Sequence, residues 1–92
     1  MQDFTFEGPL GAIECLVEPN RSERNAVLVM AHGFRGSRES GGRAAGIAYQ
    51  CATHCSVVRF NFTGTRILSL QVAELRAVIA AVRERQPGCA IY

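Results

Sequence analysis

The amino-acid sequence predicts an α/β fold: an N-terminal β-hairpin leading into a mostly parallel five-stranded sheet, with one helix on each face. Three observations predict it. The unbroken apolar run Ala26-Val27-Leu28-Val29-Met30-Ala31 has the length and composition of a strand buried on both faces. A later run carrying Val57, Val58, Phe60 and Phe62 is β-branched and aromatic, which suits a pleated, packed surface. Between and after these runs, apolar residues recur at helical spacing. Strands separated by helices connect by right-handed crossovers and so lie parallel, with helices on both faces if the sheet is doubly wound.

Taken in order, Phe4–Phe6 and Ala12–Val17 are β-like stretches around Gly8-Pro9-Leu10-Gly11, the turn chemistry of a hairpin. Residues 19–25 form a polar loop before the apolar run. His32 to Gly42 is polar and holds four glycines, too many for regular structure throughout. From Arg43, residues Ala44, Ile47, Ala48, Cys51, Ala52 and Cys55 share one helical face, with Ser37 and Ser40 available as N-caps. Ser56 to Phe62 is the next strand, and Asn61 to Arg66 turns the chain, with Gly64 free to take positive φ. Leu68, Val72, Leu75, Ile79 and Val82 mark a second amphipathic helix, with Glu74, Arg76, Arg83 and Glu84 on its other faces. Pro87-Gly88 stops that helix, and Cys89 to Tyr92 begins a further buried strand.

Composition narrows the function classes. Ninety-two residues, 1–92, make a single domain at most, with one modest core, burying roughly 60–65% of its unfolded surface. An apolar content of 48% with 20% charged residues is that of a globular chain, not a disordered one. A net charge of +2 is too small to point to nucleic acid. No apolar run approaches the ~20 residues needed to span a bilayer. Met1-Gln2-Asp3-Phe4 does not open a secretory signal, so the cytoplasm is the expected setting. Reduced thiols are then expected at Cys15, Cys51, Cys55 and Cys89.

The strand that runs directly into His32-Gly33-Phe34, then a Gly/Ser/Arg loop, then a helix, is the most informative stretch. Parallel strands deliver their loops to the carboxyl edge of the sheet, where such folds place ligands. Here the sequence resembles the α/β-hydrolase superfamily. The likeness is carried by Leu28-Val29-Met30-Ala31-His32-Gly33-Phe34, Arg35-Gly36-Ser37-Arg38-Glu39, Val57-Val58-Arg59-Phe60-Asn61-Phe62 and the helix from Gln71 to Ile79. It covers nearly the whole chain, best from 26 to 92, and is nearest the serine esterase and serine-aminopeptidase-like branch.

That resemblance implies strand order 1-2-4-3-5 and hydrolysis of small-molecule carboxylic esters or amides through an acyl-serine intermediate. It implies that the backbone N–H of Phe34 stabilises the oxyanion. Gly33 would permit close approach of the backbone, His32 would brace the loop, and Arg35 would stand at the substrate entrance. Such donors work because they are fixed in advance where negative charge develops. The resemblance calls for no cofactor and no metal, and for no nucleic-acid or membrane partner.

The family's nucleophile lies in Gly-x-Ser-x-Gly after the next strand. Ser22, Ser37, Ser40, Ser56 and Ser69 do not stand in that frame, and neither His32 nor His54 matches the family's late catalytic histidine. The chain therefore reads as the N-terminal part of a serine hydrolase, without activity alone because nucleophile and base must meet. Two alternatives stand beside this: half of a split hydrolase completed by another chain, or a small anion-binding module using Arg35, Arg38 and Arg43. The turn Thr63-Gly64-Thr65-Arg66-Ile67-Leu68-Ser69 also departs from relatives, which often read Gly-x-Gly-x-Ser.

Other patterns are set aside. Gly36 to Arg43 follows a strand and precedes a helix, but lacks the Lys-Ser/Thr pair of a phosphate-binding loop. Cys51, His54 and Cys55 have a spacing that suggests zinc, yet both cysteines fall on the apolar helix face, where thiols pack as small hydrophobes. The strand at Cys89 would leave a sheet edge open to self-association.

Overall fold

The computed structural model describes residues 1–31, 43–64 and 66–92. These form β1 (Phe4–Gly8), β2 (Gly11–Glu18), β3 (Ala26–Ala31), α1 (Arg43–Cys51), β4 (Ser56–Phe60), α2 (Leu68–Arg85) and β5 (Ala90–Ile91), in chain order. The strands make one sheet in the order β1-β2-β4-β3-β5. Both the element order and the strand order are those expected.

The sheet is mixed, which corrects the expectation of a mostly parallel one. β1 pairs antiparallel with β2, and β2 antiparallel with β4, whereas β3 lies parallel to both β4 and β5. The physical reason is the connection. β1 and β2 are joined by the short turn Pro9-Leu10, and only antiparallel strands can be joined that tightly. The three later strands are separated by helices and run parallel. At this turn Gly11 takes φ +126°, and a Cβ on Gly8 would stand 2.6 Å from Cδ1 of Ile13.

Burial also differs from expectation. Every residue of β4 is buried, while in β3 only Ala26 and Val27 are. β4 is enclosed between β2 and β3. Outside β3 lies the two-residue β5, which pairs with Ala26 and Val27 and leaves Leu28 to Ala31 less covered. The buried cluster joins Ile13 and Cys15 of β2, Val27 of β3, Val58 and Phe60 of β4, and Val78 and Val82 of α2. Phe4, Phe6, Val29, Leu75 and Ile91 pack around it. Each of the larger apolar side chains in this cluster contributes about 1.5–3 kcal/mol by leaving water.

α2 does not bury the stripe its apolar pattern suggested. Its buried residues are Glu74, Val78, Ala81 and Val82, while Leu68 is 72% exposed and Val72 is exposed as well. The helix is rotated so that a carboxylate expected on a solvent face points inward. Likewise α1 covers the sheet with Ala48, followed by Ala52 just past its end, whereas Ile47 and Tyr49 are exposed. The polar loop before β3 is fastened to that helix. Arg21 donates its backbone N–H to the Ala52 carbonyl at 2.7 Å and its guanidinium to the Tyr49 carbonyl. The same guanidinium lies over the Tyr49 ring, 3.7 Å from its centre, and Ser22 Oγ donates to the His54 carbonyl at 3.0 Å.

Candidate functional site

The site of interest is the carboxyl edge of the sheet. β3 and β4 are parallel and in register, with Ala31 opposite Phe60. The two strands therefore end side by side at this edge. The segment after Ala31 begins with His32, and the segment after Phe60 is Asn61-Phe62-Thr63-Gly64.

The second of these segments is held firmly. The Thr63 backbone N–H donates to the Glu74 carboxylate at 3.1 and 3.4 Å, and the Thr63 hydroxyl lies 3.0 Å from Oε1 of Glu74. Glu74 is fully buried in α2. Burying a carboxylate is costly unless its lone pairs are satisfied, and here they are. The result ties the turn after β4 to the middle of the following helix. Phe62 adds an edge-to-face contact with Phe60 at 5.1 Å between ring centres, so the turn is anchored to the core at two points. Gly64 then takes φ +100°, the positive value expected of it.

The Glu74–Thr63 link escaped the sequence reading. A signal was present: Glu74 lies four residues before Val78 and eight before Val82, on the stripe a helix buries. A carboxylate within such a stripe needs a polar partner, but the sequence does not say where that partner is.

His32, Gly33, Phe34 and Arg35 lie outside the described residues, as do Ser37, Arg38 and Ser40. Arg43 is the exposed first residue of α1. Cys51, His54 and Cys55 lie together, lining a pocket with Arg24, Ala26, Leu28 and Tyr92. Burial and the neighbouring Cys51 push the Cys55 thiol above its ordinary pKa, against smaller opposing effects from a Leu28 backbone hydrogen bond and the Arg24 charge. Among the described residues, no group of three or more His, Cys, Asp or Glu side chains is placed to hold a metal ion. Nor is any helix among them long and apolar enough to cross a membrane.

No protein-family model matches the chain, and no curated protein sequence does. Solved structures do match. An α/β serine hydrolase homologue from Coxiella burnetii superposes with a TM-score of 0.81 at 23% identity, over 99% of this chain and 50% of its own. An α/β serine hydrolase without a lid, from Xanthomonas campestris, superposes with a TM-score of 0.78 at 22% identity, over 97% of this chain and 47% of its own. The fold is that of the α/β serine hydrolases. The chain spans about half the length of the hydrolases it matches. Within this hydrolase fold, the register of β3 and β4 sets Ala31 beside Phe60, the residue from which the Glu74-braced turn departs.

Proposed function

We propose that residues 1–92 form the first part of a serine hydrolase acting on small-molecule carboxylic esters or amides, with His32-Gly33-Phe34 as its oxyanion loop. One observation carries the proposal. In a sheet that superposes on serine hydrolases, the strand ending at Ala31 runs parallel to and in register with the strand ending at Phe60. The His-Gly-Phe segment follows that strand directly. In this reading the Phe34 backbone N–H donates to the carbonyl oxygen as it gains negative charge. Gly33 lets the backbone close on the substrate, His32 braces the loop, and Arg35 stands at the entrance. The turn after β4, fixed by Glu74, forms the adjoining wall.

We also propose one helix against each face of the sheet. Supporting this, Val27 and Val58 pack with Val78 and Val82 of α2, whereas Ala26 and Leu28 line a pocket with Cys51 of α1. Neighbouring residues of a strand point to opposite faces.

The nucleophile comes from outside these residues, because none of their serines stands in Gly-x-Ser-x-Gly. An oxyanion loop stabilises charge that a nucleophile creates. Residues 1–92 alone are therefore inactive in this proposal.

The test uses these residues joined to the nucleophile-bearing segment, encoded beyond the Tyr92 codon or in a neighbouring gene, and two substitutions at one position. Phe34→Pro removes the proposed donor, and kcat on a short-chain ester should fall by about 10²–10³. Phe34→Ala keeps the N–H and should change kcat only a few-fold. Equal losses from the two substitutions would refute the backbone role. The absence of any Gly-x-Ser-x-Gly in either stretch of DNA would refute the hydrolase reading itself.

A further inference from the structure

We propose that Cys51 and Cys55 form a two-thiolate site for a soft monovalent cation, Cu(I), held between their sulfurs at the wall of the pocket beside α1. The site stands whether or not the chain is a hydrolase. Their spacing with His54 suggests zinc, and packing of the thiols as small hydrophobes speaks against any ion. The structure removes that objection. Neither cysteine belongs to the buried core; both are half-buried and line the pocket with Ala26, Leu28 and Tyr92.

Cys51 ends α1, and Cys55 follows one helical turn later, its backbone N–H donating to the Cys51 carbonyl at 3.3 Å. The Cys55 thiol leans back over that turn and donates to the same carbonyl at 3.7 Å, which sets its sulfur beside Cys51. The two thiols are close enough for the charge of one to act on the other. Residues four apart on a helical turn hold their Cβ atoms about 5–6 Å from each other. A disulfide needs about 3.5–4.5 Å, so this pair cannot close one without moving the backbone. A metal ion bridges more. At a metal–sulfur distance of about 2.3 Å, two thiolates on opposite sides of one ion stand about 4.6 Å apart. Ligand number and softness then select the cation. Structural zinc takes four ligands, and among the described residues no group of three or more His, Cys, Asp or Glu side chains is placed to hold an ion. Hard cations take oxygen ligands, and no Asp or Glu lines this pocket. Two thiolates suit a soft ion that accepts few ligands, as Cu(I) does. The apolar wall of Ala26 and Leu28 limits the access of water to it. Binding forms two Cu–S bonds, releases the two thiol protons to solvent and changes no oxidation state.

The test loads the reduced 92-residue chain with Cu(I) in the absence of oxygen, against the chelator bathocuproine disulfonate, and follows alkylation of each cysteine by N-ethylmaleimide with mass spectrometry. One Cu(I) should be held per chain. Alkylation of Cys51 and Cys55 should slow on loading, while that of Cys89, which does not line the pocket, should not. Both ligand positions are half-buried, so serine there leaves the core intact. Cys51→Ser and Cys55→Ser should each weaken Cu(I) binding by at least about 10²-fold, since even the partners of metal ligands are worth 10–100-fold. Cys89→Ser and His54→Ala should leave binding unchanged, and about a tenfold excess of Zn(II) should not displace Cu(I). Alkylation of Cys51 and Cys55 that Cu(I) does not slow would overturn the proposal. So would a loss on His54→Ala as large as that on Cys51→Ser, or displacement by Zn(II). Affinity that survives both serine substitutions would mean an adventitious ion only. One Cu(I) per two chains would mean that thiols of different copies share it, and would overturn the proposal too.

Discussion

Glu74 is the residue whose surroundings differ most from what its chemistry alone suggests. Its carboxylate is fully buried and occupied by the N–H and hydroxyl of Thr63. Glu74→Ala leaves that N–H without its acceptor and should cost about 1–3 kcal/mol in urea unfolding. Glu74→Gln keeps an acceptor oxygen and should cost clearly less; equal losses would show that the carboxylate fills space rather than bonds. Cys55 makes a pH prediction. Its thiol pKa is raised in the folded state, chiefly by burial, so the folded chain holds that proton after the unfolded chain has released it. The contribution is fully present below the unfolded thiol value and is lost as pH rises through the folded one. Alkaline unfolding of Cys55→Ser should therefore fall less steeply with pH than that of the parent chain. A parallel fall in both would contradict this. At this scale the sequence was only partly legible. Gly64 announced its positive φ, because only glycine takes it freely, whereas the Thr63–Glu74 bond depends on how α2 is rotated.

The elements were more legible than their orientations. The apolar run at 26–31 and the β-branched run from 56 became β3 and β4, and Pro87-Gly88 follows the C-cap Gln86 of α2. The stripe of α2 was misjudged because Leu68 and Val72 are as apolar as Val78 and Val82, and pattern alone cannot rank them. The hairpin joining β1 to β2 likewise made the sheet mixed, since a tight turn overrides the parallel order that crossovers impose. Two substitutions on α2 separate its faces. Val78→Ala should cost about 2 kcal/mol through lost burial and the cavity left behind. Leu68→Ser should stay within about 0.5 kcal/mol, as expected of an exposed position. Reversed costs would mean that α2 packs through its other face.

As a whole, the chain has the sheet of a serine hydrolase over about half the length of the hydrolases it matches. Strand order and element order were legible because right-handed crossovers leave few topologies, and the resemblance selected one of them. The predicted site residues His32 to Arg35 fall outside the described residues, so their roles rest on the strand that precedes them. β5 is two residues long, and beside it much of β3 is only partly covered. We propose that this edge associates with a second copy, and light scattering should find dimers or larger species of the 92-residue chain; a cooperatively unfolding monomer would count against this. The central proposal is that residues 1–92 supply the oxyanion loop and not the nucleophile. Fluorophosphonate labelling tests it most directly, applied to residues 1–92 alone and to the same residues joined to a Gly-x-Ser-x-Gly segment. The account predicts no label on the first and one labelled serine, within the added segment, on the second. A label on Ser22, Ser37, Ser40, Ser56 or Ser69 would contradict it.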